Sequence, residues 1–581
     1  MTPFAHRHAF VTPSRWTLAC LGLALLAGCG STPLPPWPTS PPAGAAPTVS
    51  GPAPAPTPAP PPKAVSAPTL TPIAQATVVG TPASREAPPA GTETPESAAV
   101  AARFAPPAVR YSTPGLAPER RAYTTNSELA RWLQELAATP KGATRAQLLT
   151  LGPSQRGTPI AGLVLTRAQS ADPTALEASG RPTVLLVGQQ HGDEAAPAEA
   201  LLVLARELSQ GLLEPMLERI NVIVVPRANP DGAEREEHLG ANGVDIDRDH
   251  LRLSTPEAQA LARLVRSYRP IALIDAHEYP IGTAFLRQFN ALQRHDALLQ
   301  HATTANLAEF ITKAALEWYH GPMARALAGA GLSTEWYYRP VEGSPRLAMD
   351  GVTPDSLRNA SGLKNMVALK VATRGSDLGR AHLQRRVHAQ VVALTSALRS
   401  SVDQADKLEQ VRRFVARDNA AQACRGTVTL EAAPTPTQRE LVMLDPQTGA
   451  ELTQRVAWES ALQLRTLRQR PRACGYWLSA SADDAAQRLR LLGLQVLKVA
   501  EAGTVLADAS PQSGSGPAQR STIDAPVGSY YLPLGQSQAA LAIAALEEDA
   551  PGSYLMQGLI ATPGDVARVM APPSVVFEES E

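Results

Sequence analysis

Val184-Leu-Leu-Val-Gly-Gln-Gln-His-Gly-Asp-Glu194 is an apolar run with β-branched residues that stops at Gly188 and then places a histidine and a glutamate three residues apart. This is the pattern of a buried strand delivering two metal ligands on the loop that follows it. In an open α/β sheet, ligands sit in the crevice beyond the carboxyl ends of the strands, so His191 and Glu194 stand where chemistry is expected. A catalytic zinc takes three protein ligands and leaves a position for water. The third is supplied by Ile271-Ala-Leu-Ile-Asp-Ala-His277, another apolar strand with a histidine at its end.

Around this pair the segments alternate. Thr125-Asn-Ser-Glu128 opens a helix with cap chemistry at its start, and Leu129, Trp132, Leu133 and Leu136 fall at helical spacing. Residues 147–152 and 159–166 read as a strand pair, 198–210 as an apolar helix and 220–225 as a buried strand; Thr255-Pro-Glu-Ala begins a helix that leads into the His277 strand. Near-continuous apolar strands alternating with helices predict an α/β fold, a mixed, mostly parallel sheet with helices on both faces.

The chain has 581 residues, too many for one ordinary core. Its formal net charge is +0 with 18% charged residues, which gives no electrostatic reason to expect nucleic acid as a partner. The 54 prolines crowd before Pro107, and residues 30–107 are Pro/Ala/Thr/Ser with few large apolar groups. Such a stretch cannot bury enough surface to offset its ordering entropy, so it reads as a disordered, semi-rigid tether. A ligand for proline-binding modules is the other reading.

Residues 1–29 read as an export signal: Arg7 and Arg15 precede an apolar run from Leu18 to Leu26, too short to span as a mature helix. Leu26-Ala-Gly-Cys29 resembles a bacterial lipobox, which implies acylation of Cys29; an ordinary cleaved signal is the alternative. Gly30 after it favours, by the same resemblance, the outer membrane. The expectation is an exported protein, lipid-anchored to the membrane without a spanning helix and facing the periplasm or the surface.

Six blocks in order resemble the zinc metallocarboxypeptidases of the carboxypeptidase A type: Gly152-Pro-Ser-Gln-Arg-Gly-Thr-Pro-Ile160, His191-Gly-Asp-Glu194, Asn229-Pro-Asp-Gly232, Gly243-Val-Asp-Ile-Asp-Arg248, His277-Glu-Tyr279 and Val371-Ala-Thr-Arg-Gly375. The resemblance implies a carboxypeptidase-like domain over about 120–408 and one zinc held by His191, Glu194 and His277. It also implies metal-assisted hydrolysis at the C-terminus of a peptide substrate, cell-wall peptide included. Arg248 resembles the arginine that clamps the substrate carboxylate, a task suited to a planar charged fork. Arg235 or His238 is a looser match for a carbonyl-polarising role, and Tyr279 and Arg374 fall in the substrate-binding blocks. Removal of an acyl group from an amino acid is a further possibility within this fold.

Two departures stand out. Where the family places the glutamate that moves the proton, this chain has Ala372. That chemistry is worth ~10²–10⁴-fold, so the expectation divides between an active carboxypeptidase and a weakened relative that binds zinc and peptide. Glu278 faces away on its strand, and Glu335 is the one weak substitute. Asp247 replaces an asparagine beside the clamp; it is expected to pair with Arg248 or to face an amine on the substrate.

Residues 379–408 read as helical. Beyond them, 415–581 reads as a small C-terminal α+β domain, with a helix over 485–492 and strands at 495–499 and 529–533. Cys424 and Cys474 are the cysteines left once Cys20 departs with the signal and Cys29 carries lipid, so they are expected to form a disulfide.

Overall fold

The structure, a computed structural model, describes residues 96–509 and 519–578. The signal, Cys29 and most of the proline-rich stretch lie outside the described residues. The strand reading around Val184 holds: β1 (Arg145–Pro153), β2 (Pro159–Thr166), β3 (Thr183–Gly188), β4 (Asn221–Val225), β5 (Ala272–Tyr279), β6 (Ala297–His301), β7 (Thr334–Trp336) and β8 (Val367–Arg374) form one eight-stranded sheet, ordered β1-β2-β4-β3-β5-β8-β6-β7. The four central strands β4, β3, β5 and β8 run parallel, and antiparallel pairs join β1 to β2, β2 to β4 and β8 to β6.

Strands β3, β4, β5 and β8 are buried along their whole length. Helices must therefore cover both faces. Those that do so include α1 (Asn126–Ala138), α2 (Ala195–Gln210), α3 (Pro256–Tyr268) and α4 (Leu383–Asp403). Thr125 caps α1 in a full capping box with Glu128. α2 begins at Glu194, directly after the loop that follows β3.

Three features differ from the sequence reading. Residues 96–107 are not part of a loose tether: Val100 and Phe104 are core residues. The helical region after Gly379 is two helices, α4 and α5 (Ala405–Ala421). Most of all, the expected C-terminal α+β region is present but is also joined to the rest of the fold. It contains a long hairpin, β9 (Thr427–Leu444) and β10 (Glu451–Pro471), which pairs with Leu292–Gln293 and Arg346–Ala348 of the preceding part to complete a second, five-stranded sheet. Pro434 and Pro436 lie where β9 has β10 alone as neighbour, the open-edge position that a residue without an N–H tolerates.

The remaining C-terminal residues build a six-stranded sheet carrying α6 (Asp483–Leu491) and α7 (Ala539–Leu546). Their apolar faces share one core with Leu251, Leu253, Ala258 and Ala262. The Tyr554 hydroxyl donates to the Leu251 carbonyl at 2.9 Å, and Arg488 donates to the carbonyl of Leu253. This part therefore buttresses the loop that leaves Arg248. Among the described residues no helix is long and apolar enough to cross a membrane.

The expected Cys424–Cys474 disulfide is present and closes a loop with a sequence separation of 50. On the chain-entropy account such a loop is worth about 4 kcal/mol. Replacing both cysteines with serine should lower unfolding free energy by that order in urea titration; a loss under 1 kcal/mol would show that the crosslink constrains little.

Candidate metal centre and cleft

The loop after β3 is folded by contacts that need no metal. Gln189 takes a positive φ of 49°, and its side-chain amide donates to the Gly192 carbonyl at 2.9 Å. A Cβ on Gly192 would stand 2.0 Å from the Gly232 carbonyl carbon, so the loop lies flat against the Asn-Pro-Asp-Gly turn. Asn229 caps that turn through its Oδ1 and donates to the Gln190 carbonyl at 3.1 Å. Arg227 holds Gln189 from the other side.

These supports bring His191, Glu194 and His277 together. His191 Nδ1 lies 2.8 Å from Glu194 Oε1, and His277 Nδ1 lies 3.0 Å from Glu194 Oε2. One donor atom from each falls within 4.8 Å of the others, in a buried pocket. The far ring nitrogens are backed by acids. His191 Nε2 is 3.1 Å from Asp245 Oδ1, and His277 Nε2 is 2.9 Å from Asp275 Oδ2, close enough for an ion pair though not aligned as a hydrogen bond. Two nitrogens and a carboxylate, each imidazole with a carboxylate behind it, are the donor set of a catalytic zinc site. Burial raises the Glu194 carboxyl, but the two imidazoles outweigh it and hold the group well below the ordinary carboxylate range.

Beside the triad is a second buried group of charges. Lys370 Nζ lies 2.9 Å from Asp247 Oδ2 and 3.1 Å from Asp350 Oδ2. Arg248 donates to Asp350 Oδ1 at 2.6 Å, and Arg358 reaches Asp350 Oδ2 at 3.2 Å. Burial opposes charge on Asp247, yet Lys370 and Arg248 keep its carboxyl far below the usual range. The partner of Asp247 is thus Lys370, not Arg248. At 1% exposure Asp247 cannot meet a substrate amine, which corrects both sequence expectations. The partly exposed acid near Arg248 is Asp355, 3.8 Å from Arg248 Nη1. The Arg248 side chain keeps 30% of its surface, enough to accept an anion.

Residues 129–280 match the family model described as zinc carboxypeptidase. This segment is similar to the zinc carboxypeptidase family. By class, the enzyme is a hydrolase of the metallocarboxypeptidase type. Carboxypeptidase 2 of Trichophyton rubrum is 26% identical over 426 residues, 67% of this chain and 77% of that protein. Carboxypeptidase D of Mus musculus is 42% identical over 113 residues, 17% of this chain and 8% of that one. A solved metallo-carboxypeptidase from Burkholderia cenocepacia superposes with a TM-score of 0.35 at 16% identity, over 47% of this chain and 68% of that one.

The other candidates in this carboxypeptidase domain scatter. Ala372 sits on β8 opposite His277 on β5, fully buried in an apolar cluster with Tyr279, Leu298, Val100 and Phe104. Glu335 is two strands away, aligned through Leu298, and its carboxylate is taken by Arg439. The intervening apolar cluster keeps it from replacing the missing acid. Glu278 faces away, as expected from strand alternation, and pairs with Arg386. Arg235 ends a short helix and reaches only Glu237, at 3.6 Å. His238 does arrive: its ring stacks on His191 at 3.7 Å and its Nδ1 lies 3.1 Å from Asp193. Tyr279 is buried with its hydroxyl donated to the His295 carbonyl. Arg374 faces the same side as Ala372 but is covered.

Sequence reasoning passed over Asp245, Asp275, Asp350, Asp355 and Lys370. Three of them carried a signal. Asp275 stands two residues before His277, hence on the same face; Asp245 lies within the block that ends in Arg248; and a lysine inside the apolar run of β8 requires a buried acid. Replacing Asp245 with asparagine should weaken zinc binding about 10–100-fold, the usual cost of losing an outer-sphere partner, in competition with a chromophoric chelator. An unchanged affinity would mean that Asp245 does not orient His191.

Proposed function

We propose that this chain is a zinc-dependent metallocarboxypeptidase that removes C-terminal residues from peptides at the cell envelope, using one zinc. The observation that carries the reading is the neighbourhood of two groups: a convergent His191, Glu194 and His277 donor set, and a partly exposed Arg248 whose base is pinned by Asp350. A zinc ion held there supplies Lewis-acid activation of water and of a carbonyl. The rest is work for the chain itself. Asp245 and Asp275 fix the imidazoles, and Arg248 receives the terminal carboxylate on its free edge. Asp350 stops that guanidinium from swinging away.

A second reading, that the chain binds zinc and peptide termini with little turnover, is favoured by Ala372. The face of β8 opposite His277 offers a methyl group packed in apolar side chains, and Glu335 is tied to Arg439. No carboxylate of the described residues therefore stands at the position from which the family moves the proton. One experiment separates the two readings: a library of peptides with free C-termini, the zinc-loaded unmodified chain, His277→Ala and Ala372→Glu. Turnover by the unmodified chain that disappears in His277→Ala supports the peptidase. Zinc and peptide binding with turnover only in Ala372→Glu, a gain of ~10²–10⁴-fold, supports the binding protein. Failure to take up zinc sinks both.

Placement at the envelope rests on the export-type segment before Cys29 and the proline-rich stretch after it. One lipidated cysteine would tether the catalytic part to the outer membrane. Cys29→Ser should move the protein from the membrane to the soluble fraction; retention in the membrane would remove the lipid anchor from the proposal.

A further inference from the structure

Asp275, the acid behind His277, is fully buried and has a cation close at hand besides that imidazole. In the pairing of β8 with β5, Lys370 stands opposite Asp275 just as Ala372 stands opposite His277, so the lysine and the carboxylate share one face of the sheet. Lys370 nonetheless directs its Nζ to Asp247 and Asp350, at 2.9 and 3.1 Å, while Asp275 turns Oδ2 to His277 Nε2 at 2.9 Å. That last contact is not aligned as a hydrogen bond, so it does not by itself fix the carboxylate.

The aligned bond to Asp275 comes from Gln190. This residue precedes His191 and is completely buried, and its side-chain amide donates to Asp275 Oδ1 at 2.8 Å, with Asp247 Oδ1 at 3.5 Å. The amide is oriented from its other end. His250 Nε2 lies 2.6 Å from Gln190 Oε1, and an amide oxygen only accepts, so the imidazole is the donor. The main chain is held too, because Asn229 donates to the Gln190 carbonyl. An amide can accept from an imidazole and donate to a carboxylate at once. An acid at 190 would lack the donor and add charge beside Asp247 and Asp275, and an apolar side chain would leave two buried partners unsatisfied.

We infer that Gln190 is a positioning residue: it anchors Asp275 on the His277 side, away from Lys370, and so orients that metal ligand from outside the ion's own ligand shell. His250, Gln190 and Asp275 form a line of buried contacts that ends at His277. This rests on the zinc carboxypeptidase reading and assigns within it a residue that touches neither the ion nor the substrate.

The test is the zinc affinity of the full chain, by competition with a chromophoric chelator, for the unmodified protein, Gln190→Met, Asp275→Ala and the double variant, together with the visible spectrum of each protein loaded with cobalt. Losing an outer partner costs a metal site about 10–100-fold. Gln190→Met should lose about tenfold, with its cobalt bands displaced in the same direction as those of Asp275→Ala. Because Gln190 acts through Asp275, adding Gln190→Met to Asp275→Ala should cost no more than roughly a further twofold. Losses that add in full overturn the inference, and so does an unchanged affinity in Gln190→Met or a spectral change unlike that of Asp275→Ala. Where Gln190→Met does not fold, His250→Phe, which removes the donor that orients the amide, decides the matter: a weaker zinc affinity supports the inference and an unchanged one overturns it. Failure of the unmodified chain to take up zinc or cobalt would instead overturn the carboxypeptidase reading, and this inference with it.

Discussion

Each imidazole of the triad has a carboxylate behind it, and the rest of the site depends on that constraint. His191 and His277 arrive from loop and strand ends separated by three α-helices and a strand, and neither backbone alone fixes a ring orientation. Asp245 and Asp275 do so by taking the far nitrogens, which turns both Nδ1 atoms toward Glu194. Such acids are tolerable in a buried site only where bases answer them. Lys370, Arg248 and Arg358 supply the positive charge next door, so the clamp and the metal centre share one electrostatic neighbourhood.

What could be read from residues alone followed the strength of local signals. Apolar strands closed by glycine or histidine placed β3 and β5, and with them all three candidate ligands, because a buried strand in a parallel sheet leaves little freedom in where its end points. Capping residues fixed the start of α1 for the same reason. The hairpin of β9 and β10 was invisible, since Pro434 and Pro436 read as breakers and an open-edge strand carries polar residues on both faces along much of its length. Charged partners were also hidden. Asp247 looked like a neighbour of Arg248 because the two are adjacent in sequence, but in a 3₁₀ turn successive side chains diverge, and its partner comes from a strand more than a hundred residues later.

The hairpin and residues 96–104 cover this face of the sheet. In front of Ala372 the surface is filled by Leu298, Leu347, Trp458, Val100 and Phe104, residues drawn from four distant stretches of chain. An acid at 372 would have to stand in that apolar packing with no hydration, at a cost of several kcal/mol unless a cation met it. Alanine is consistent with its surroundings.

The apolar side chain at 372 leaves charges to be balanced on either side of it. Lys370 and Arg374 flank Ala372 on the same buried face, two cations with a methyl group between them. Without an acid at the middle position each must find one elsewhere. Lys370 takes Asp247 and Asp350 from the body of the domain, whereas Arg374 is answered from outside the sheet by Glu96. A buried guanidinium stripped of its partner is strongly unfavourable, so the segment that carries Glu96 is held where it lies by electrostatic need as well as by Phe104. Ala372 and the segment before Val100 are thereby connected: the strand that carries no acid between its two cations receives one, Glu96, from the chain's amino-terminal approach to the sheet.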